Sequence, residues 1–419
     1  MFPPFAAHLL LILIVAASIL LMLVRPRGIA EVYWICAGAL LLVILRLVPL
    51  RLAGHAVAAG TDVYLFLAGM MLLSELARDF GVFGWMASVA EQHANGSSVR
   101  LFTLIYLVGT LVTIFMSNDA TAVVLTPAVL ASVRRAKADP LPHLFACAFI
   151  ANAASFVLPI SNPANLVVFR GHMPSLAHWT ASFALPSLVS ILATYFVLRW
   201  YFRKPLGARL PVNRDRTHLT GNGRLVFSGI IVMALVLMVV SALNVDLGLP
   251  TCICALLITG AISIRARTNP LKIARRVSWG VLPLVAGLFI LMEAMVSVGA
   301  LRYTAGALAW VEKLPLALGA LLTGAVVGFA NNVINNLPLG LIAGSTLNSA
   351  HVHGAIQNAV LIGVDLGPNL SVTGSLATIL WLIAIRREGL HVGFATFLKV
   401  GAIAMPVALL LALLGAGAF

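Results

Sequence analysis

The chain has 419 residues, of which 61% are hydrophobic and only 10% charged, and its mean hydropathy is +1.05. Soluble domains carry roughly a quarter charged residues, so a soluble fold is excluded and an integral membrane protein is indicated. The net charge of +14 is read as basic topology signals in connecting loops and not as a nucleic-acid surface.

In chain order, apolar runs lie near 6–24, 31–50, 62–80, 100–133, 141–170, 176–200, 225–243, 248–264, 280–299, 315–346, 353–384 and 391–416. They are continuous, not alternating. That argues for helices crossing a ~30 Å hydrocarbon core and against a β-barrel. The first, "AAHLLLILIVAASILLMLV", is too long for a signal-peptide core and lacks a basic start. It is expected to remain as a span. Cys36, Cys147, Cys252 and Cys254 all sit in apolar segments and read as small packing residues. "HVH" at 351–353 reads as a solvated outer loop, so no metal site is expected. No G-x-x-x-x-G-K-[ST] motif occurs, which points to a secondary transporter and not an enzyme, with no cofactor.

The two halves repeat. "LFLAGMMLLSELARDFGVF" (65–83) matches "PLVAGLFILMEAMVSVGAL" (283–301), aligning Gly69 with Gly287 and Glu75 with Glu293. "FMSNDATAVVLTP" (115–127) is matched with "FANNVINNLPLGL" (329–341), and "VLPISNPANL" (157–166) with "NLSVTGSLAT" (369–378). We therefore expect an all-α polytopic transporter of two inverted repeats, with about ten transmembrane helices and two re-entrant hairpins. The first repeat would cover 1–200 with its hairpin at 100–133. A basic cytoplasmic linker would cover 201–224, and the second repeat 225–419 with its hairpin at 315–346. This plan puts 21 of the 27 Lys and Arg in cytoplasmic segments. Arg46, Arg51, Arg170, Arg302 and Lys313 fall outside and Lys399 lies within the last run, in accord with the positive-inside rule.

Four polar breaks interrupt the apolar runs: "SND" (117–119), "SNPAN" (161–165), "NNVINN" (331–336) and "GPNLSVTGS" (367–375). Asn, Ser, Gly and Pro suit helix ends better than helix interiors. Unwound backbone at membrane depth is tolerated only where it lines a cavity or is buried in protein. The breaks should meet in one pocket, with Ser117, Asn118, Asn162, Asn165, Asn332, Asn335, Thr373 and Ser375 as solute-binding candidates. Carboxylates within the membrane are functional candidates by default. Asp119 and Asp365 are the proton-coupling candidates, since a carboxyl group withdrawn from water can take up and release a proton during a cycle. Glu75 and Glu293, a turn or two from the breaks, are assigned a gate or structural role. No intramembrane Lys or Arg is available to clamp a strongly charged anion.

"DLGPNLSVTGSLATILWL" (365–382) resembles the C-terminal signature of ArsB-type arsenite permeases of the ion transporter superfamily. "SNDATAVVLTP", "SNPANL" and "NNVINNLP" resemble other segments of that family in the same order. The chain departs from the signature at Asn369 and Val372, where the family pattern has Lys and Pro. The resemblance implies a bacterial inner-membrane exporter of arsenite and antimonite, driven by proton influx. Its solute would be uncharged As(OH)₃, held by Asn118, Asp119, Asn162, Asn332, Asp365, Thr373 and Ser375. Some family members also associate with a soluble ATPase subunit. A sodium/proton antiporter or small-anion permease of the same superfamily is the alternative.

Overall fold

The computed structural model describes residues 4–169, 173–211, 217–299 and 301–417. Arg170 and the part of the linker that holds Arg214 and Arg216 lie outside the described residues. Among the described residues every regular element is a helix, apart from one isolated bridge between Ser97 and Arg209.

The first half runs through α1 (Pro4–Val24), α2 (Glu31–Ile44), α3 (Leu50–Ala58), α4 (Thr61–Asp79), α5 (Val82–His93), α6 (Ser98–Phe115), α7 (Thr126–Arg135), α8 (Pro140–Ala153), α9 (Pro163–Val168) and α10 (Leu176–Tyr201). A short α11 (Arg203–Leu206) begins the connection. The second half runs through α12 (Gly221–Ala242), α13 (Gly248–Ala266), α14 (Pro270–Ala274), α15 (Val281–Ser297), α16 (Leu301–Val311), α17 (Leu316–Ile334), α18 (Asn336–Ala350), α19 (Ala355–Leu366), α20 (Leu376–Arg387) and α21 (Phe394–Ala416). Helix for helix, α1–α10 and α12–α21 follow the same order. Among the described residues, seven helices are long and apolar enough to cross a membrane, or nine if two bent pairs each count as one span. The sequence read α3, α5 and α16 as connectors or run ends; each is a short helix.

Packing between the halves is reciprocal. α4 of the first half packs on α13 of the second, while α15, the counterpart of α4, packs on α2. Gly69 and Gly287 sit at these two crossings. A Cβ on Gly69 would run into the Thr251 backbone, and one on Gly287 into the Ile35 side chain. A backbone cannot step aside, whereas the Ile35 γ-methyl can yield by a small swing, resisted by the stiff χ1 of a β-branched residue. Gly69→Ala is therefore expected to cost about 1–3 kcal/mol, the usual range for overpacking, and Gly287→Ala less. Thermal unfolding in detergent reads the difference, and equal Tm values for both variants and wild type would refute this account.

Both hairpins turn back on themselves. Thr121 Oγ1 lies 2.8 Å from Thr113 Oγ1 and 3.4 Å from the Gly109 carbonyl. A continuous helix would hold residues 109 and 121 about 18 Å apart, so the chain reverses after α6. Likewise α18 lays Leu339, Ile342 and Leu347 beside Leu322, Val326 and Ala330 of α17. At the second tip Asn335 adopts φ 80° and ψ 150°, a conformation that glycine normally occupies and that costs about 1–3 kcal/mol elsewhere. Two bonds hold it: its N–H donates to Asn331 O at 2.7 Å and its Nδ2 to Thr373 O at 3.0 Å.

The basic segments gather on one face. Arg276 pairs with Asp79, and Val32 lies against Gly280. Leu210 N–H donates to Gly96 O at 2.8 Å, and Gln92 to Thr217 at 3.0 Å. Arg135 meets Glu91 at 3.3 Å and Arg134 meets Glu388 at 3.6 Å. Exposed pairs of this kind add only ~0–1 kcal/mol each, but they show which chain segments share a side. These segments are the ones the positive-inside rule assigns to the cytoplasm.

Candidate functional site

Three of the four breaks line a narrow cavity of about 10 Å³, and the fourth ends beside it. The first break contributes Asn118 and Asp119, the second Asn162 and Pro163, the third Asn336 and Leu337. Leu376 and Ala377 follow the fourth break, and Leu67 of α4 and Val281 of α15 complete the wall. Such a volume matches about one water molecule, so the polar groups lie close together. A second cavity of about 50 Å³ adjoins it, sharing Leu67, Asp119, Pro163 and Val281, and adding Ser117 and Glu75. No Lys or Arg lines either one.

Local sequence explains each bend. After α6, Ser117 Oγ accepts from Ala120 N–H at 3.3 Å, and the return limb opens with a wide π-helical turn over Ala120–Leu125. Such turns recur at functional sites. At the second break Asn162 caps α9, its Oδ1 accepting from Ala164 N–H at 3.0 Å, and Ser161 Oγ reaches back to Ile114 O at 3.0 Å. Asn165 donates from Nδ2 to the carbonyls of Ser155 (2.9 Å), Leu158 (3.2 Å) and Pro159 (3.3 Å). It holds the unwound loop shut and lines neither cavity.

The third and fourth breaks are stitched to each other. Asn332 donates to Gly367 O at 3.1 Å and accepts from Ser371 Oγ at 2.7 Å. Thr373 Oγ1 donates to Asn332 O at 2.9 Å, and Asn336 N–H to Gly374 O at 2.9 Å. Ser375 caps α20, accepting from Thr378 N–H at 3.1 Å. Asn332, Asn335, Thr373 and Ser375 thus brace backbone, while Ser117, Asn118, Asp119 and Asn162 face the cavities.

Reciprocal hydrogen bonds tie the halves together at their matching ends. Asp365, near the end of α19 and fully buried, accepts from Asn162 Nδ2 at 2.7 Å. Asn152, near the end of α8, accepts from Ser375 Oγ at 3.4 Å and donates to Asn369 Oδ1 at 2.9 Å. Each half therefore sends a polar group from the end of one helix to the N-cap of the other half. Asp365 itself lines neither cavity. Glu75 forms an ion pair with Arg78 on α4. Glu293 is half-buried on α15 and lines neither cavity.

Sequence reasoning missed Asn152 and Asn336. Asn336 follows the second tip as Asn118 follows the first. Both are buried, 3% and 2% exposed, and in each the Oδ1 has no hydrogen-bond partner among the described residues. The signal was present: the spacing that relates Gly69 to Gly287 also relates Ser117 to Asn335 and Asn118 to Asn336. The match drawn from residue identity alone, Ser117 with Asn331, is one helical turn out of step with the folded tips. Asn152 is a lone polar residue in "FIANAASF", with no cluster to mark it.

The model of the citrate transporter family, CitMHS, matches residues 19–363. The arsenical pump membrane protein of Escherichia coli (strain K12) is 26% identical over 410 residues, covering 93% of this chain and 94% of that protein. The putative arsenical pump membrane protein of Bacillus subtilis (strain 168) is 23% identical over 417 residues, with the same coverage. The crystal structure of the Alcanivorax borkumensis YdaH transporter, described as having an unusual topology, superposes with a TM-score of 0.56 over 89% of this chain and 88% of that one. At 15% identity it shares the fold alone. The resemblance to arsenite permeases is met by relatives that span nearly the whole chain, and the match covers far more than half of it: this integral membrane transporter belongs to the citrate transporter (CitMHS) family.

Proposed function

We propose that the protein exports arsenite, as As(OH)₃, and antimonite from the cytoplasm in exchange for protons. The observation that carries this reading is the meeting of three helix breaks, with the fourth ending beside them, at one cavity whose polar lining is three amides and a single carboxyl, with no Lys or Arg. Asn118 and Asn336 offer acceptor oxygens to solute hydroxyls, and the N-terminal ends of the return limbs offer N–H groups and partial positive charge. Each such bond contributes modestly, ~1 kcal/mol, which suits a solute that must be released. A tricarboxylate would need cationic partners that the cavities lack. Relatives named as arsenical pumps over nearly their full length support the metalloid.

In this reading Asp119 and Asp365 carry the coupling, Asp119 from within the cavity and Asp365 through Asn162. The two halves, 1–200 and 225–419, act as inverted repeats around the site, and the 201–224 linker lies on the cytoplasmic side. An ion gradient suffices to drive the cycle, and a soluble ATPase subunit would be an accessory at the basic face.

The test is arsenite uptake into everted membrane vesicles with an imposed pH gradient and no sodium. Uptake that a protonophore abolishes is the expected result. Citrate uptake in its place, or sodium-dependent proton movement without arsenite uptake, would overturn the reading.

A further inference from the structure

We infer that the larger cavity is the proton path between Asp119 and the cytoplasmic face, with Glu75 as its relay. This rests on the reading of Asp119 as a coupling residue and assigns the route by which its proton leaves. The cavity is lined by Ser117 and Asp119 at the first break, and by Ser74, Glu75 and Ser278, which lie within four residues of Arg78 or two of Arg276 on the basic face. Its volume of about 50 Å³ has room for several waters, at roughly 10–15 Å³ each on this measure. Hydroxyls and two carboxyl groups give those waters the partners they need. Glu75 is paired with Arg78, and the neighbouring Asp79 with Arg276. Both arginine side chains are about half exposed, 44% and 53%, so the ion pairs stand between the cavity and bulk water.

The charged groups around Glu75 are Arg78, Asp79 and Arg276, with Asp119 across the cavity. The other elements lining it supply no charge: α9 gives Pro163, α15 Val281 and α20 Leu380. In the step, the acid form of Asp119 gives its proton to the water chain, and the chain passes one to the Glu75 carboxylate. Neutral Glu75 releases Arg78, then loses its proton to bulk water and pairs again. One proton enters the chain and one leaves, with no other bond changed. Glu293 matches Glu75 in sequence but lines neither cavity, so it serves as the control.

The experiment compares two modes in everted vesicles carrying the full-length protein: net arsenite uptake driven by a pH gradient, and arsenite–arsenite exchange at equal pH, which moves no net proton. Glu75→Gln is expected to slow net uptake by about 100-fold or more, in the range for loss of a positioned proton-transfer group, and to keep exchange. Glu75→Asp should recover most of the net rate. Wild-type net uptake in Glu75→Gln overturns the inference. So does a parallel loss of both modes that Glu75→Asp does not repair, or an equal loss in Glu293→Gln. If Glu75→Gln fails to reach the membrane, Ser278→Leu carries the test by filling the cavity while leaving the carboxyl in the chain. It should show the same split, and wild-type behaviour there overturns the inference. Absence of any pH-driven arsenite uptake by the wild type would instead refute the proposed function, and this inference with it.

Discussion

Asp119→Asn is expected to abolish proton-driven arsenite transport while leaving arsenite–arsenite exchange measurable. Asp119 is the one carboxyl that lines both cavities, and it stands immediately after the tip of the first hairpin. Asparagine keeps its size and its acceptor oxygen but cannot take up or release a proton in the working range. Net flux should fall on the order of 100-fold or more, as when a positioned proton-transfer group is removed, and the remaining flux should no longer depend on pH. Asp365→Asn makes the contrast. Asn at 365 can still accept from Asn162 Nδ2, so the cross-half bond and the fold should survive. If Asp365 shares the coupling, its variant also becomes insensitive to pH. If it only orients Asn162, the variant keeps the wild-type pH profile. Flux measured in everted vesicles across a series of outside pH values separates these cases. An unchanged profile in Asp119→Asn would remove that residue from the coupling role.

The positions of the breaks were legible because polar residues in a hydrocarbon-length run are conspicuous and must be buried or line a cavity. "SND" and "SNPAN" fall where α6 ends and α9 begins, and "GPNLSVTGS" fills the gap between α19 and α20. What each side chain does there was not legible. Asn162 and Asn165 are three residues apart, yet one reaches the cavity and the other turns to three loop carbonyls. That difference depends on where the unwound backbone leaves its carbonyls, which composition does not encode. The third break shows the same limit. "NNVINN" offers four amides of one kind, and folding sends Asn331 to Gly363 O, Asn332 to Gly367 O, Asn335 to Thr373 O and only Asn336 to the cavity. Spacing was the better guide than residue identity. The interval fixed by two glycines at helix crossings carries through to the hairpin tips, because both are set by the same packing distances. The cross-half pairing of Asn152 with Ser375 needed the folded chain, since 223 residues separate the partners.

Asn118→Ala and Asn336→Ala are expected to weaken arsenite binding by about five-fold each, the equivalent of one neutral hydrogen bond of about 1 kcal/mol. The double variant should lose about 30-fold if the two bonds act independently, and a different factor would report coupling through the shared solute. Stability discriminates this role from a bracing one. A buried acceptor that lacks a partner already weighs against the folded state, so deleting it removes a penalty. Both variants should therefore unfold in detergent without arsenite at the wild-type temperature or above it. Asn332→Ala should do the opposite. It takes one partner each from the Gly367 carbonyl and the Ser371 hydroxyl, which keep Leu370 N–H at 3.1 Å and Thr373 Oγ1 at 3.0 Å, at a cost of about 0.5–1.5 kcal/mol per bond lost, and lowers the unfolding temperature with or without solute. Arsenite added to the wild type should raise its unfolding temperature through preferential binding to the folded state, and that rise should shrink in Asn118→Ala and Asn336→Ala alike. The equality is the sharp part, because the two residues occupy matching places after the two tips. A full arsenite shift in Asn336→Ala, or destabilisation by it as large as that of Asn332→Ala, would make it a structural amide and leave the solute held by the first hairpin alone.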